Sequence, residues 1–141
     1  MMDFTSTSVE QTLAIGKQIG SALVGGEVIS LRGSLGVGKT VLAKGIATAL
    51  GIDADEVVSP SFTLIQEYDG SLALAHLDLY RLDSVEEFEM IGGEEFLYPS
   101  GVTLIEWADK VAEVLPEHLI TIDIIRNEDE SRAISVSGAA L

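Results

Sequence analysis

A glycine-rich loop carries the strongest chemical signal in the sequence. Residues 33–40 read GSLGVGKT and match the pattern G-x-x-x-x-G-K-T at every fixed position. In such a loop, successive backbone N–H groups form a concave anion site, and the helix that follows presents the positive end of its dipole. Lys39 is expected to reach the β- and γ-phosphates, and the Thr40 hydroxyl to bind Mg²⁺. The loop therefore predicts binding of a nucleoside triphosphate together with Mg²⁺.

Two acidic residues close apolar segments and could complete this site. Asp78 follows the run LALAHL at 72–77, and Glu106 follows VTLI at 102–105. A phosphate-binding loop needs an acidic residue at the end of a neighbouring strand to hold Mg²⁺. The presence of both residues suggests that one serves the metal and the other orients or deprotonates water. The residue pattern alone leaves open which carboxylate has which role.

The elements that must position these residues alternate between helices and strands. Residues 28–31 predict a buried strand directly before the loop, and residues 40–50 predict a helix directly after it. Ser8 and Ser84 open capping boxes and predict two further helices. The remaining strands are predicted at 62–68, 72–79, 102–105, 119–125 and 133–136, with a last helix at 108–115. Because βα units alternate with hairpins, we expect an α/β fold with a mixed, partly parallel central sheet and flanking helices.

Composition narrows the class of protein. The chain has 141 residues, enough for one domain, and it lacks cysteine, which excludes thiolate metal sites and a cysteine nucleophile. Its formal net charge of −15 makes sequence-independent binding to DNA or RNA by this chain alone unfavourable. No apolar run is long enough to span a bilayer, so we expect a soluble, cytoplasmic protein without membrane contact.

Two features that the sequence lacks indicate which nucleotide it binds and which reaction it catalyses. Neither the guanine-reading motif N-K-x-D nor the metal loop D-x-x-G occurs, which favours ATP over GTP. The four arginines are not clustered as they are in the lid of a small-molecule kinase. We therefore expect a slow ATPase whose missing parts come from another protein.

Four motifs in order resemble the TsaE (YjeE) family. They are GSLGVGKT at 33–40, SPSFTL at 59–64, HLDLYRL at 76–82 and IEW at 105–107, and the stretch GGEE at 92–95 is similar to the family's short middle helix. The resemblance covers essentially the whole chain. It implies a single P-loop ATPase domain over residues 1–141 with a P-loop NTPase-like three-layer fold.

The resemblance also implies a pathway and partners. TsaE proteins are bacterial ATPases needed for threonylcarbamoylation of the adenosine next to the tRNA anticodon. In that pathway TsaC makes threonylcarbamoyl-AMP, and the TsaD–TsaB heterodimer transfers the group to tRNA. TsaE binds at the TsaD–TsaB interface, and its ATP cycle supports repeated turnover.

The family's residue roles can be transferred to this sequence. The resemblance implies Lys39 and Asp78 as catalytic residues, and Thr40 and Glu106 as Mg²⁺ ligands. The segment at 6–9 would form part of the adenine wall, and residues 59–63 a switch-like loop. The implied ATP-binding residues are Ser8, Leu35, Gly36, Val37, Gly38, Lys39, Thr40, Val41 and Trp107. Ser61 and Val37 depart from the residues most common in the family, and Val37 is expected to slow nucleotide exchange.

Two other functions remain open. The chain could be a nucleotide-gated binding module in which hydrolysis is incidental, or an independent small-molecule P-loop kinase. An Asp78→Ala variant separates the first alternative from an ATPase, because a pure binding module would stay competent without this carboxylate.

Overall fold

The computed structural model describes residues 2–34, 36–60 and 63–138. Within these ranges, three α-helices and seven strands alternate with short 3₁₀ segments. The strands are β1 (Met2–Ser6), β2 (Val28–Arg32), β3 (Ile65–Tyr68), β4 (Leu74–Asp78), β5 (Val102–Glu106), β6 (Ile120–Arg126) and β7 (Arg132–Ser137). The α-helices are α1 (Val9–Ser21), α2 (Lys39–Ala49) and α3 (Val85–Met90), and the 3₁₀ segments are Ala54–Glu56, Gly93–Leu97 and Ala108–Val114.

The seven strands form one sheet in the order β1-β7-β6-β2-β5-β4-β3. The central strands β6, β2, β5 and β4 run parallel to their neighbours in this group. The outer strands β7, β1 and β3 are joined to the group by antiparallel pairs. This arrangement confirms the α/β class and the mixed, partly parallel sheet expected from the sequence.

Helices cover both faces of the sheet and give it three layers. Ile29 and Leu104 point to the face that carries α1 and α2, where they are fully buried. Their neighbours Val28 and Ile105 point to the opposite face, which carries α3 and the 3₁₀ segments Gly93–Leu97 and Ala108–Val114. The parallel central strands are therefore buried on both faces, as strands of this kind usually are.

Helices α1 and α2 approach each other closely at two glycines. A Cβ built on Gly45 would lie 2.3 Å from the Leu13 carbonyl oxygen, and one built on Gly16 would lie 2.5 Å from that of Leu42. No side chain fits at such distances without movement of a backbone. The close approach fixes the position of α2, the helix that follows the glycine-rich loop.

The strand β1 was missing from the sequence-based expectation. Met2 and Phe4 are partly buried against the core, while Ser6 pairs with Arg132 at the end of the antiparallel ladder to β7. The pairing of β1 with β7 joins residues near the two ends of the chain, such as Met2 and Val136. No local sequence pattern therefore predicts this strand. Within the described ranges, no helix combines the length and apolar character that crossing a membrane requires.

Candidate functional site

The expected functional residues meet where the parallel strands β2, β4 and β5 end. Asp78 and Glu106 are the last residues of β4 and β5 and lie opposite each other in the parallel register. The strand β2 lies on the other side of β5 and leads directly into the glycine-rich loop. A cavity of about 800 Å³ opens at this edge. Ligands bind at the carboxyl ends of strands in open α/β sheets, so the position is the one expected for a site.

The conformation of the loop explains its glycines. Gly36 has φ 78° and Gly38 has φ 114°, both in the left-handed region that favours glycine. Val37 lies between them, and its side chain is buried in the core, only 2% exposed. Gly33 is required for a different reason, because a Cβ there would lie 2.7 Å from Cγ1 of Val37. The buried valine thus anchors a loop whose two flanking glycines turn the backbone sharply.

Glu106 is held between two basic side chains. Its Oε2 lies 2.8 Å from Nε2 of His76, and its Oε1 lies 3.4 Å from Nζ of Lys39. Burial alone would raise the pKa of the Glu106 carboxyl, but the hydrogen bond and charge of His76 and the charge of Lys39 hold that pKa below its ordinary value. The group is therefore a carboxylate at neutral pH. His76 itself is fully buried and hydrogen-bonded to this carboxylate.

Asp78 and Trp107 line the same cavity as the glycine-rich loop. Asp78 is 7% exposed, and its Oδ1 accepts a hydrogen bond of 3.0 Å from the Tyr80 amide. Trp107 has φ 61°, a left-handed conformation that is rare for a bulky residue. Its ring lies 4.9 Å from that of Tyr80 and 5.8 Å from Nζ of Lys39. The strained backbone of Trp107 keeps an aromatic surface at the mouth of the cavity.

A smaller cavity of about 330 Å³ adjoins the first one. Gly36, Gly38 and Val41 line both cavities, while Ser8 and Val37 line the smaller one. The hydroxyl oxygen of Ser8 caps helix α1 by accepting a hydrogen bond of 3.0 Å from the Gln11 amide. The N-terminal segment 6–9 thus lies beside the loop, where the sequence expects the adenine wall.

The chemistry of the donor set fits Mg²⁺ bound together with phosphates. Within residues 2–34, 36–60 and 63–138, no three His, Asp or Glu side chains come close enough to hold a metal ion by themselves. A site built from one or two carboxylates and a hydroxyl needs phosphate oxygens and water to complete six ligands, which is how Mg²⁺ is usually bound. Thr40, Asp78 and Glu106 all line the larger cavity and offer such oxygens.

Most of the predicted site residues share these two cavities. The larger one is lined by Gly36, Gly38, Lys39, Thr40, Val41, Asp78, Glu106 and Trp107. Ser59 and Arg81 line it as well, whereas Leu35 and Ser61 lie outside the described residues. Tyr80 and Arg132 were not predicted as site residues. Tyr80 could have been predicted, because it is the aromatic residue of the motif at 76–82. No local sequence pattern indicates a role for Arg132.

Comparisons with known proteins point in one direction. A family model described as "Threonylcarbamoyl adenosine biosynthesis protein TsaE" matches residues 6–134. A protein of that name from Treponema pallidum is 43% identical over 136 residues, covering 96% of this chain and all of the relative. The Bacillus subtilis protein of that name is 41% identical over 135 residues, covering 95% of this chain and 84% of the relative. The crystal structure of Bacillus subtilis YdiB superposes with a TM-score of 0.75 at 36% identity, over 97% of this chain and 84% of that one.

Proposed function

This chain belongs to the TsaE family, and on that premise we propose that it is the ATP-binding and ATP-hydrolysing subunit required for threonylcarbamoylation of the adenosine next to the tRNA anticodon. It acts with the TsaD–TsaB heterodimer, depends functionally on TsaC, and supports catalytic turnover. Relatives at 43% and 41% identity carry the name "tRNA threonylcarbamoyladenosine biosynthesis protein TsaE". The chain performs this role as a single domain in the cytoplasm.

One observation carries the proposal. The cavity beside the glycine-rich loop is lined by Lys39, Asp78 and Glu106. These residues belong to α2, β4 and β5, which are far apart in the sequence. Phosphoryl chemistry in P-loop proteins uses a lysine after a glycine-rich loop together with an acidic residue at a strand end. Here Lys39 lies 3.4 Å from the Glu106 carboxylate, and Asp78 lines the same cavity. The cavity volume of about 800 Å³ is in the range of pockets that bind small molecules.

Each residue has a distinct part in the proposed chemistry. The backbone of the loop and Lys39 hold the phosphates, and the positive end of α2 favours their charge. Bound Mg²⁺, held by Thr40 and Glu106, neutralises charge on the phosphate oxygens. Asp78 orients water or accepts its proton at the adjoining strand end. Trp107 and Tyr80 border the opening and shield the polar groups from bulk solvent.

The charge of the chain supports action with a partner. At −15 the protein repels nucleic acid, so contact with tRNA falls to the proteins it binds. Apart from Arg81, no arginine lines the larger cavity within the described ranges, which leaves the transferring phosphoryl group with little arginine support from this chain. A partner with a positively charged surface could contact the tRNA and supply positive charge to the phosphoryl group. Its association rate with this acidic chain should fall as the salt concentration rises.

Calorimetric titration with Mg-ATP tests the nucleotide site. Wild-type protein is expected to bind, and Lys39→Ala to lose most of the binding free energy. Lys17→Ala is the matched control, because it removes the same charge from an exposed position on α1. Tight binding by Lys39→Ala would refute the assignment of the loop.

A second variant separates an ATPase from a binding module. Asp78→Asn keeps the shape of the side chain, and we expect it to bind Mg-ATP and TsaD–TsaB while losing hydrolysis and multiple-turnover modification of tRNA. Full tRNA modification by this variant would instead favour a nucleotide-gated module in which hydrolysis is incidental.

A further inference from the structure

Arg132, the first residue of β7, is bonded to the glycine-rich loop across 95 positions of the chain. Its Nε donates a hydrogen bond of 2.8 Å to the carbonyl oxygen of Val37. Its Nη1 donates a second hydrogen bond, of 2.6 Å, to the carbonyl oxygen of Glu130. The guanidinium therefore connects the loop to the turn between β6 and β7.

The bonded carbonyl belongs to the peptide unit that joins Val37 to Gly38. The described residues contain no cis peptide bond, so this unit is planar and trans, and its C=O and N–H point in opposite directions. A carbonyl fixed toward Arg132 consequently sets the Gly38 N–H to point away from it. Gly38 lines both cavities, and Arg132 lines only the smaller one.

A nest of N–H groups binds an anion only if each peptide is turned the right way. Gly36 and Gly38 both have positive φ, and a Cβ added at either position would meet no neighbour within 4 Å. The buried Val37 side chain holds the middle of the loop, but no packing at the two glycines themselves fixes how their peptides are turned. We propose that Arg132 is a positioning residue, which orients the Val37–Gly38 peptide so that its N–H serves the phosphates. This inference rests on the proposed function of the loop as a nucleotide site.

The anchor at the other end of Arg132 is rigid. Arg132 pairs with Ser6 of β1 and with Arg126 of β6, so its backbone is fixed between two strands. Glu130 has φ 71°, a strained conformation that turns its carbonyl toward the guanidinium. A planar guanidinium can donate to both carbonyls at once, whereas the single ammonium of lysine has a different geometry.

Because Arg132 also lines the smaller cavity beside Ser8, its effect on phosphate must be separated from contact with the nucleoside. Inorganic tripolyphosphate has no base or ribose and makes this separation. We would titrate Mg-ATP and Mg-tripolyphosphate into wild type, Arg132→Met and Arg132→Lys by calorimetry. Lys17→Met is the matched control, since it removes one positive charge from an exposed position on α1.

Arg132→Met is expected to weaken both ligands by the same factor, at least about tenfold for the loss of one hydrogen bond from a charged donor. Arg132→Lys is expected to show a smaller loss, again equal for the two ligands, and it carries the test if Arg132→Met does not fold. Lys17→Met should bind both ligands as wild type does.

Two results would overturn the inference. If the Arg132 variants bound Mg-ATP more weakly but tripolyphosphate as wild type does, Arg132 would be a direct contact of the nucleoside. If the variants bound both ligands as wild type does, Arg132 would have no role in the site. If wild type bound neither ligand, the proposed function itself would fail, and the inference with it.

Discussion

Replacing Glu106 by glutamine tests how the site balances charge. Glu106 is 6% exposed and lies 3.4 Å from Nζ of Lys39. At that distance the attraction is roughly 5 kcal/mol at an effective dielectric constant of about 20, and about 1 kcal/mol in water. Because burial of the carboxylate offsets much of the larger figure, we take roughly 1.4 kcal/mol as the net effect, which is a tenfold change in an equilibrium constant.

The variant is expected to bind ATP without Mg²⁺ about tenfold more tightly than wild type, because Lys39 no longer has a carboxylate partner and the phosphates meet one negative charge fewer. Binding in the presence of Mg²⁺ should not improve, since a proposed metal ligand is lost. The ratio of metal-free to metal-bound dissociation constants should therefore fall by at least about tenfold.

Calorimetry with ATP, in excess EDTA and in excess Mg²⁺, measures this ratio. Glu113→Gln is the control, because it removes one negative charge from an exposed position on the 3₁₀ segment Ala108–Val114. Thermal unfolding of each variant shows whether the fold is intact. Equal metal dependence in wild type and Glu106→Gln would refute the reasoning.

Three further predictions concern the residues around the loop. Val37→Ala should lower the free energy of unfolding by roughly 2 kcal/mol, because two methyl groups are lost and leave a space in the core. The same variant should release ADP faster in a stopped-flow assay. An unchanged release rate would show that Val37 does not slow nucleotide exchange. Ser8→Ala removes the hydrogen bond that caps α1 and should lower stability by about 1 kcal/mol in urea unfolding, whereas an unchanged midpoint would contradict the capping role. Trp107 is the only tryptophan and is 41% exposed beside Lys39. Its fluorescence should therefore change when Mg-ATP is added to wild type and stay constant in Lys39→Ala. The same change in both proteins would mean that the fluorescence does not report nucleotide binding at this site.

Local sequence patterns were sufficient for the parts of the fold that depend on near neighbours. The serine at 84 opens a capping box, and in the structure its hydroxyl accepts a hydrogen bond of 3.2 Å from the Glu87 amide at the start of α3. β3 and β4 form an antiparallel pair joined by the segment 69–73, so the two consecutive strands expected around this segment do pair as neighbours. The convergence of Asp78 and Glu106 was also foreseeable, because both end apolar strands of a parallel sheet.

Features that depend on distant parts of the chain could not be read in the same way. The strand β1 forms only because β7 offers it an edge, and the bond from Arg132 to Val37 depends on the position of that same strand. Trp107 adopts a left-handed backbone that its residue type disfavours, so only the surrounding packing determines it. At each of these points tertiary context overrides local preference.

The most direct test of the account is ATP hydrolysis by wild type and Lys39→Ala, each alone and with the host's TsaD–TsaB heterodimer. We expect low activity for the wild type alone, a clear increase when the heterodimer is added, and no activity in the variant under either condition. Hydrolysis that does not change when TsaD–TsaB is added would contradict an ATPase completed by its partner.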